Sequence, residues 1–419
     1  MRGVFFLYMT NRTACLCALL AAACARPSAR PLAPAAGDAT CLLAAGPATR
    51  VPTVTVALTE PVDPSHAPQP RNDAERLVFR QLYETLVTLD CQGRAVPGLA
   101  ESWVSSEGGR RWTLTLRADA QFWDGAPVVA RDVVVGKGGA GYTLNAVDPR
   151  VVSVALARAT DAVPAFLADP ALAVTKPAPD RGWPIGTGRY WVTGATTTPQ
   201  EIRAHTSAGD TLVFRPASGR DARDLLDAGV DLLVTRDRAV LDYAATRGAF
   251  ATLELPWDRT YVLAAAEPPA ARLDGLEQAV RGEARRATGP FWWENLQACG
   301  PPPVAAPPGA TRGARRVAYR RGDAAARDLA GRIAALTRGV AAGLAPPEFA
   351  AALAAGSEAG YVLPLPRTVP DACRAARDLL PPWPVAVAPL VDTRARAVVR
   401  RGVSPWVVDW DGTVHLAPK

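Results

Sequence analysis

The sequence has 419 residues, of which 49% are hydrophobic and 21% charged. That is ordinary for a globular chain and long enough for two or three separately cored bodies. The formal charge of +7 is carried almost wholly by arginine, with lysine only at Lys137, Lys176 and Lys419. No run of clustered arginines with interleaved aromatics occurs, so the charge does not describe a nucleic-acid face and no nucleic-acid partner is expected.

The chain opens with Arg2 and Arg12 flanking a short apolar run, Ala14 to Ala23, that is too short to span a bilayer as a helix. It ends in Leu20-Ala21-Ala22-Ala23-Cys24. Small residues followed by cysteine resemble a bacterial lipoprotein processing site, in which Cys24 would carry the lipid; Ala21 stands where leucine is usual. An ordinary secretory signal cut near the same place is the alternative, and both readings place the body outside the cytoplasm. Residues 25–40 are rich in Pro and Ala and read as a flexible tether. Beyond the leader four cysteines remain, Cys41, Cys91, Cys299 and Cys373. An even number in an oxidising compartment suggests disulfides. Of the three pairings, Cys41–Cys91 with Cys299–Cys373 is preferred because each pair stays within one half of the chain. Metal binding is disfavoured, since no two of these cysteines are close in sequence and only His66, His205 and His415 exist. No metal or other cofactor is expected.

The body begins with an alternating strand, Thr53 to Leu58, that runs into the loop Thr59-Glu60-Pro61-Val62-Asp63-Pro64. A helix follows. Asn72 can cap it, Glu75 can answer as in a capping box, and Ala74, Leu77, Val78, Leu82 and Leu86 form its apolar face. Cys91-Gln92-Gly93 is a turn, Trp112 to Leu116 alternates as a strand, and Asp124-Gly125-Ala126-Pro127 is a tight turn. The glycine-rich stretch 136–141 lacks the G-x-x-x-x-G-K-[ST] order of a phosphate loop and reads as a plain loop. Val151 to Ala157 is a strand. The glycines of Pro184-Ile185-Gly186-Thr187-Gly188 permit close backbone packing before the strand at Tyr190-Trp191-Val192. Asp221 to Val234 reads as a helix that ends near Gly229, followed by a strand. Leu253 to Ala265 concentrates Trp257, Asp258, Arg259, Thr260 and Tyr261. That mix of aromatic and directional polar groups suits a small-molecule pocket; a buried Asp258–Arg259 pair with two core aromatics is the alternative. Residues 273–288 read as helical, 301–308 as a Pro/Ala-rich loop, Arg316 to Tyr319 as a strand and Ala324 to Leu336 as an amphipathic helix.

The literal residues from Gln81 to Val134 say more than their pattern: YETLV, PGLAESW, WTLTLR, FWDGAP and ARDV follow one another in order. This stretch resembles the N-terminal signature of the family 5 extracellular solute-binding proteins, the peptide/nickel type of receptor that feeds ABC importers. P-I-G-T-G at 184–188, with Arg189 where proline is usual, and the helix–strand unit ending in Asp231 resemble that family too. The resemblance implies an α/β, periplasmic-binding-protein-like fold of two large lobes joined by a two-strand hinge. Residues 41–70, 175–256 and 390–419 would form lobe I, 71–174 its small subdomain and 257–389 lobe II, after a signal peptide over 1–23 and a lipid-anchored tether over 24–40. It implies capture of a small ligand, peptide-like or other, with Thr59, Glu60, Trp257, Asp258, Arg259 and Tyr261 as site residues. It also implies a monomer, held to the membrane by its lipid, that docks on an ABC permease without doing chemistry. The family's asparagine after the crossover strand is missing, and Asp371 cannot be equated with the carboxylate that holds a peptide amine. Two other readings stay open: a degenerate, non-transporting binding or interaction protein on the same fold, and an extracellular hydrolase, for which neither G-x-S-x-G nor H-E-x-x-H is present.

Overall fold

The computed structural model describes residues 41–43, 45–139, 141–178, 182–192, 201–217, 219–265, 276, 278, 291–292, 316–366 and 386–417. The expected leader and tether, Cys24, Cys299, Cys373, Asp371 and the loop over 301–308 lie outside these residues. So does the helix expected over 273–288, apart from Leu276 and Gln278, which are helical. Among the described residues no helix is long and apolar enough to cross a membrane.

Three large sheets carry the fold. The first has seven strands in the order Phe250–Glu254, Arg396–Arg400, Leu232–Thr235, Thr53–Leu58, Thr211–Pro216, Ile202–His205 and Trp191–Val192. Its central strand, Thr53–Leu58, pairs in parallel with Thr211–Pro216 and Leu232–Thr235. Both faces are covered. Val54, Val56 and Leu58 enter one core with helix α1 (Asp73–Leu82) and Trp406, while Ala57 and Leu233 meet Leu225, Leu226, Val240 and Leu241 from helices on the other side. A sheet buried on both faces explains why Thr53–Leu58 loses its strict alternation after Val56.

The second sheet has six strands, ordered Phe291–Trp292, Ala386–Thr393, Arg259–Ala265, Gly360–Pro366, Arg316–Arg320 and Val340–Leu344. The helix Ala324–Thr337 covers one face through Leu329, Ala330 and Ile333, and Phe349 packs with Tyr361 on the other. The third sheet has four strands, Ala100–Ser106, Arg111–Leu116, Val151–Leu156 and Tyr142–Asp148, with its own core around Trp112, Leu114, Leu116 and Phe122.

The chain passes from the first sheet to the second through residues 255–258 and returns through 394–395. The two passages are tied by Leu255 N–H to the Ala395 carbonyl (3.3 Å) and Asp258 N–H to the Thr393 carbonyl (3.3 Å). The stretch from Leu253 to Ala265 therefore belongs to two strands in different sheets with an irregular step between them.

Helix α1 is capped as expected: Asn72 Oδ1 accepts from Glu75 N–H at 2.8 Å. The reciprocal half of the capping box is replaced. Glu75, fully buried, accepts from Arg71 N–H (2.7 Å) and Asp63 N–H (3.1 Å), and His66 Nδ1 lies 2.7 Å away. Its carboxylate organises the preceding loop instead of the helix end. Leu86 also departs from the helical face. The helix stops at Leu82, and Leu86 joins the core of the four-stranded unit, whereas Ala74, Leu77, Val78 and Leu82 pack under the seven-stranded sheet. By packing, α1 goes with the first sheet and not with the residues of the expected subdomain that follow it. The helix end is closed by the P-I-G-T-G segment: a Cβ on Gly186 would sit 2.1 Å from the Leu82 carbonyl oxygen, and one on Gly188 2.5 Å from the Leu82 carbonyl carbon. Cys41 and Cys91 are bonded (S–S 2.09 Å), tying the start of the described body to the turn before Gly93.

Candidate functional site

The first turn of α1 faces the passage between the two large sheets, and four charged side chains meet there. Asp73 is the first residue of α1, Arg236 follows the strand Leu232–Thr235, and Asp258 and Arg259 stand where the chain enters the second sheet. Arg259 pairs with Asp73 and Arg236 with Asp258. The ring is closed by Arg236 Nη2 to Asp73 Oδ2 at 3.6 Å and Arg259 Nε to Asp258 Oδ2 at 4.0 Å. Signs alternate around the ring, so each charge has opposite neighbours on both sides.

The two carboxyls respond differently. Burial alone would raise Asp73, but Arg259, Arg236 and Arg76 more than offset it and hold its carboxyl at about 2. Asp258, with only 5% of its side chain exposed, is pushed up by burial beyond what Arg236 and Arg259 return. Arg259 is disfavoured by burial but raised further by Asp73 and Asp258, so it stays charged.

Beside the ring is a small cavity of about 30 Å³, bordered by Thr59, Asp73, Arg76, Arg236, Asp258 and Thr413. Besides the ion-paired Asp73 Oδ1, four buried polar atoms near it have no hydrogen-bond partner among the described residues: Asp258 Oδ1, Arg236 Nε, Arg236 Nη1 and Thr413 Oγ1. A buried polar atom left unmatched costs about 1–3 kcal/mol. A polar group or water placed beside the ring would find partners in them. Gly412 makes the approach possible: with φ at +76°, its Cβ position would lie 3.3 Å from Asp258 Cβ.

The six residues expected at the site divide. Thr59 and Asp258 border the cavity and Arg259 belongs to the ring. Glu60 accepts from Asp73 N–H at 3.1 Å and so holds the start of α1. Trp257 lies under Arg394, whose guanidinium carbon is 4.4 Å from the ring centroid. Tyr261 is buried in the six-stranded unit, and its hydroxyl meets Asp323, the cap of Ala324–Thr337, at 3.0 and 3.1 Å. Sequence reasoning missed Asp73, Arg76, Arg236 and Thr413. The Asp-Gly turn at 411–412 was the one local signal for the last of them; the others come from segments more than 150 residues apart. Among the described residues no group of three or more His, Cys, Asp or Glu side chains could hold a metal ion.

Comparison with known proteins agrees with this architecture. Residues 94–203 match the model described as "Bacterial extracellular solute-binding proteins, family 5 Middle". The chain is 47% identical over 60 residues to the periplasmic oligopeptide-binding protein OppA of Haemophilus influenzae, a match covering 14% of this chain and 11% of that protein. It is 48% identical over 46 residues to the nickel-binding periplasmic protein of Escherichia coli, covering 11% of this chain and 9% of that one. These matches thus span about a tenth of the relatives' length. The fold is similar to that of NikA from Brucella suis, solved with Fe(III)-EDTA (TM-score 0.64, 17% identity, 87% of this chain and 100% of that one). It is also similar to the murein tripeptide binding protein MppA of Escherichia coli (TM-score 0.60, 15% identity, 88% of this chain and 99% of that one). Residues 94–203 thus carry a family 5 solute-binding signature, and the chain shares the fold of these solved structures.

Proposed function

We propose that the chain is the solute-binding component of an ABC importer and takes a small ligand between its seven-stranded and six-stranded bodies. One observation carries the reading: unmatched buried polar atoms gather beside a four-charge ring where the two passages between the sheets meet. In this account residues 255–258 and 394–395 act as a hinge. Closure brings Arg259 against Asp73 and Arg236 against Asp258. The ligand supplies partners for Asp258 Oδ1 and Arg236 Nη1. Enclosure, not bond-making, is the work done, and binding energy comes from surface and polar groups withdrawn from water. Because the space beside the ring is only about 30 Å³, a small polar end of the ligand reaches it, such as an amino or carboxylate terminus. Delivery to a permease, export from the cytoplasm and anchorage through Cys24 complete the proposal.

The test is calorimetric titration of the chain against dipeptides, oligopeptides, nickel chelates and opines, these being the chemistries that relatives of this fold are named for. The reading requires saturable binding of at least one class, weakened by Arg236→Gln. Absence of binding across the set would overturn it. A second reading, a degenerate binding protein that no longer transports, is favoured by the same small cavity, since the chain's own ion pairs occupy the space a ligand would need. That reading expects no binder and an unchanged shape in solution.

A further inference from the structure

A second cavity, of about 130 Å³, lies at the other end of α1. Its chamber is bordered by Phe79 of α1, Tyr83 just after the helix, Leu89, Phe166 and Trp410. These walls are held firmly. Phe79 and Tyr83 meet edge to face at 5.9 Å, Phe166 stacks on Tyr142 at 4.4 Å, and Trp410 lies so close to the turn at Gly93 that a Cβ there would be 3.1 Å from its ring. An apolar cavity of about 150 Å³ in another protein takes up benzene, so this chamber has room for about one six-membered ring.

Of the described charges at its rim, only Arg80 and Asp409 pair with each other; Asp169 and Asp411 keep theirs. Arg80 and Asp409 bond each other at 2.5 Å, with His415 Nε2 on Asp409 at 3.2 Å. Asp169 accepts from Ala171 N–H at 2.8 Å and Asp411 from Thr413 N–H at 3.0 Å. Arg76 borders both cavities; it lies in the field of Asp73 and Asp258, and its guanidinium makes no hydrogen bond or close ion pair among the described residues. Thr413 also borders both, and its buried hydroxyl has no partner among the described residues. One cationic donor and one buried neutral donor therefore belong to residues that border a ring-sized apolar chamber.

We infer that this cavity is a second binding site, for a small aryl monocarboxylate. The ring fills the chamber, and the carboxylate accepts hydrogen bonds from the Arg76 guanidinium and the Thr413 hydroxyl. Asp411, on the same turn as Thr413, opposes a second negative charge and so selects one carboxylate over two. No described residue between 259 and 392 lines the chamber, so binding here is proposed to require neither closure of the large bodies nor a permease. It stands or falls separately from the importer reading.

The experiment is calorimetric titration of the full chain with benzoate, phenylacetate, phthalate, benzyl alcohol and benzamidine. Benzoate or phenylacetate should bind saturably, with phthalate and benzyl alcohol at least about tenfold weaker and benzamidine not binding. Arg76→Gln should weaken the favoured acid by about tenfold to a hundredfold, the worth of a charge-assisted hydrogen bond. Ala165→Trp, which places an indole at the chamber wall, should abolish binding while a cooperative thermal transition shows that the fold is kept. No saturable binding of either acid up to about 10 mM, benzamidine binding as tightly as benzoate, or full affinity in a folded Ala165→Trp protein would each overturn the assignment.

Discussion

The two ends of α1 solve opposite problems within three helical turns. At its start, Asp73 sits in a ring of alternating charges with almost no free volume, and electrostatics decides the geometry. At its end, Phe79 and Tyr83 wall an apolar chamber several times larger, and packing decides it. One helix can serve both because its apolar stripe runs along the side that faces the seven-stranded sheet, while Asp73 and Arg76 lie beside that stripe. The contrast teaches that stability and binding at the two ends should respond to different perturbations.

The largest effects should come from breaking either end at its centre. Arg236→Ala leaves Asp258 buried without its main partner and should cost about 3–5 kcal/mol in urea unfolding. Phe79→Ala, at a side chain 2% exposed, should cost a similar amount, about 3–5 kcal/mol, through a cavity. Raising salt tells them apart: the partly exposed ring weakens with ionic strength and the apolar loss does not. Equal salt responses would erase the contrast.

A middle-sized effect is expected on acidification. Asp73 is held at about 2 in the folded chain, below its unfolded value near 3.9, so its contribution is complete above about pH 4 and is lost as pH falls through 2. With solvent screening of a partly exposed group it amounts to roughly 1–2 kcal/mol. Asp258 has the opposite sign. Its raised value means that ionisation opposes folding, with a cost that grows as pH climbs through the ordinary carboxylate range. Comparing Asp73→Asn and Asp258→Asn across pH 2–6, the first should flatten a slope that favours higher pH and the second one that favours lower pH. Slopes of the same sign would mean that the two acids are not distinguished by burial. The smallest effect is local: Asn72→Ala removes the cap of α1 and should cost about 1 kcal/mol, read as a shift in thermal midpoint.

What could be read without coordinates follows the range of the interactions. The Asn72 cap, the alternation of Arg111–Leu116 and the glycines that close on Leu82 each depend on residues near in sequence or on a motif kept as a block, and these match the structure. Glu75 looked like half of a capping box, but a tertiary demand, the loop at Asp63–Arg71, took its carboxylate. Tyr261 had the residue type of a ligand contact, yet the alternation of its strand sends it into the core beside Asp323. Arg236, Asp73 and Thr413 carried no joint signal, because only folding brings positions 73, 236 and 413 together.

The central claim is enclosure of a ligand between the seven-stranded and six-stranded bodies. Small-angle X-ray scattering of the chain, recorded with and without the solute that saturates it in calorimetry, tests this directly. The account expects a smaller radius of gyration in the bound state and no such change for Arg236→Gln at the same solute concentration. Saturated binding with identical scattering curves would contradict it.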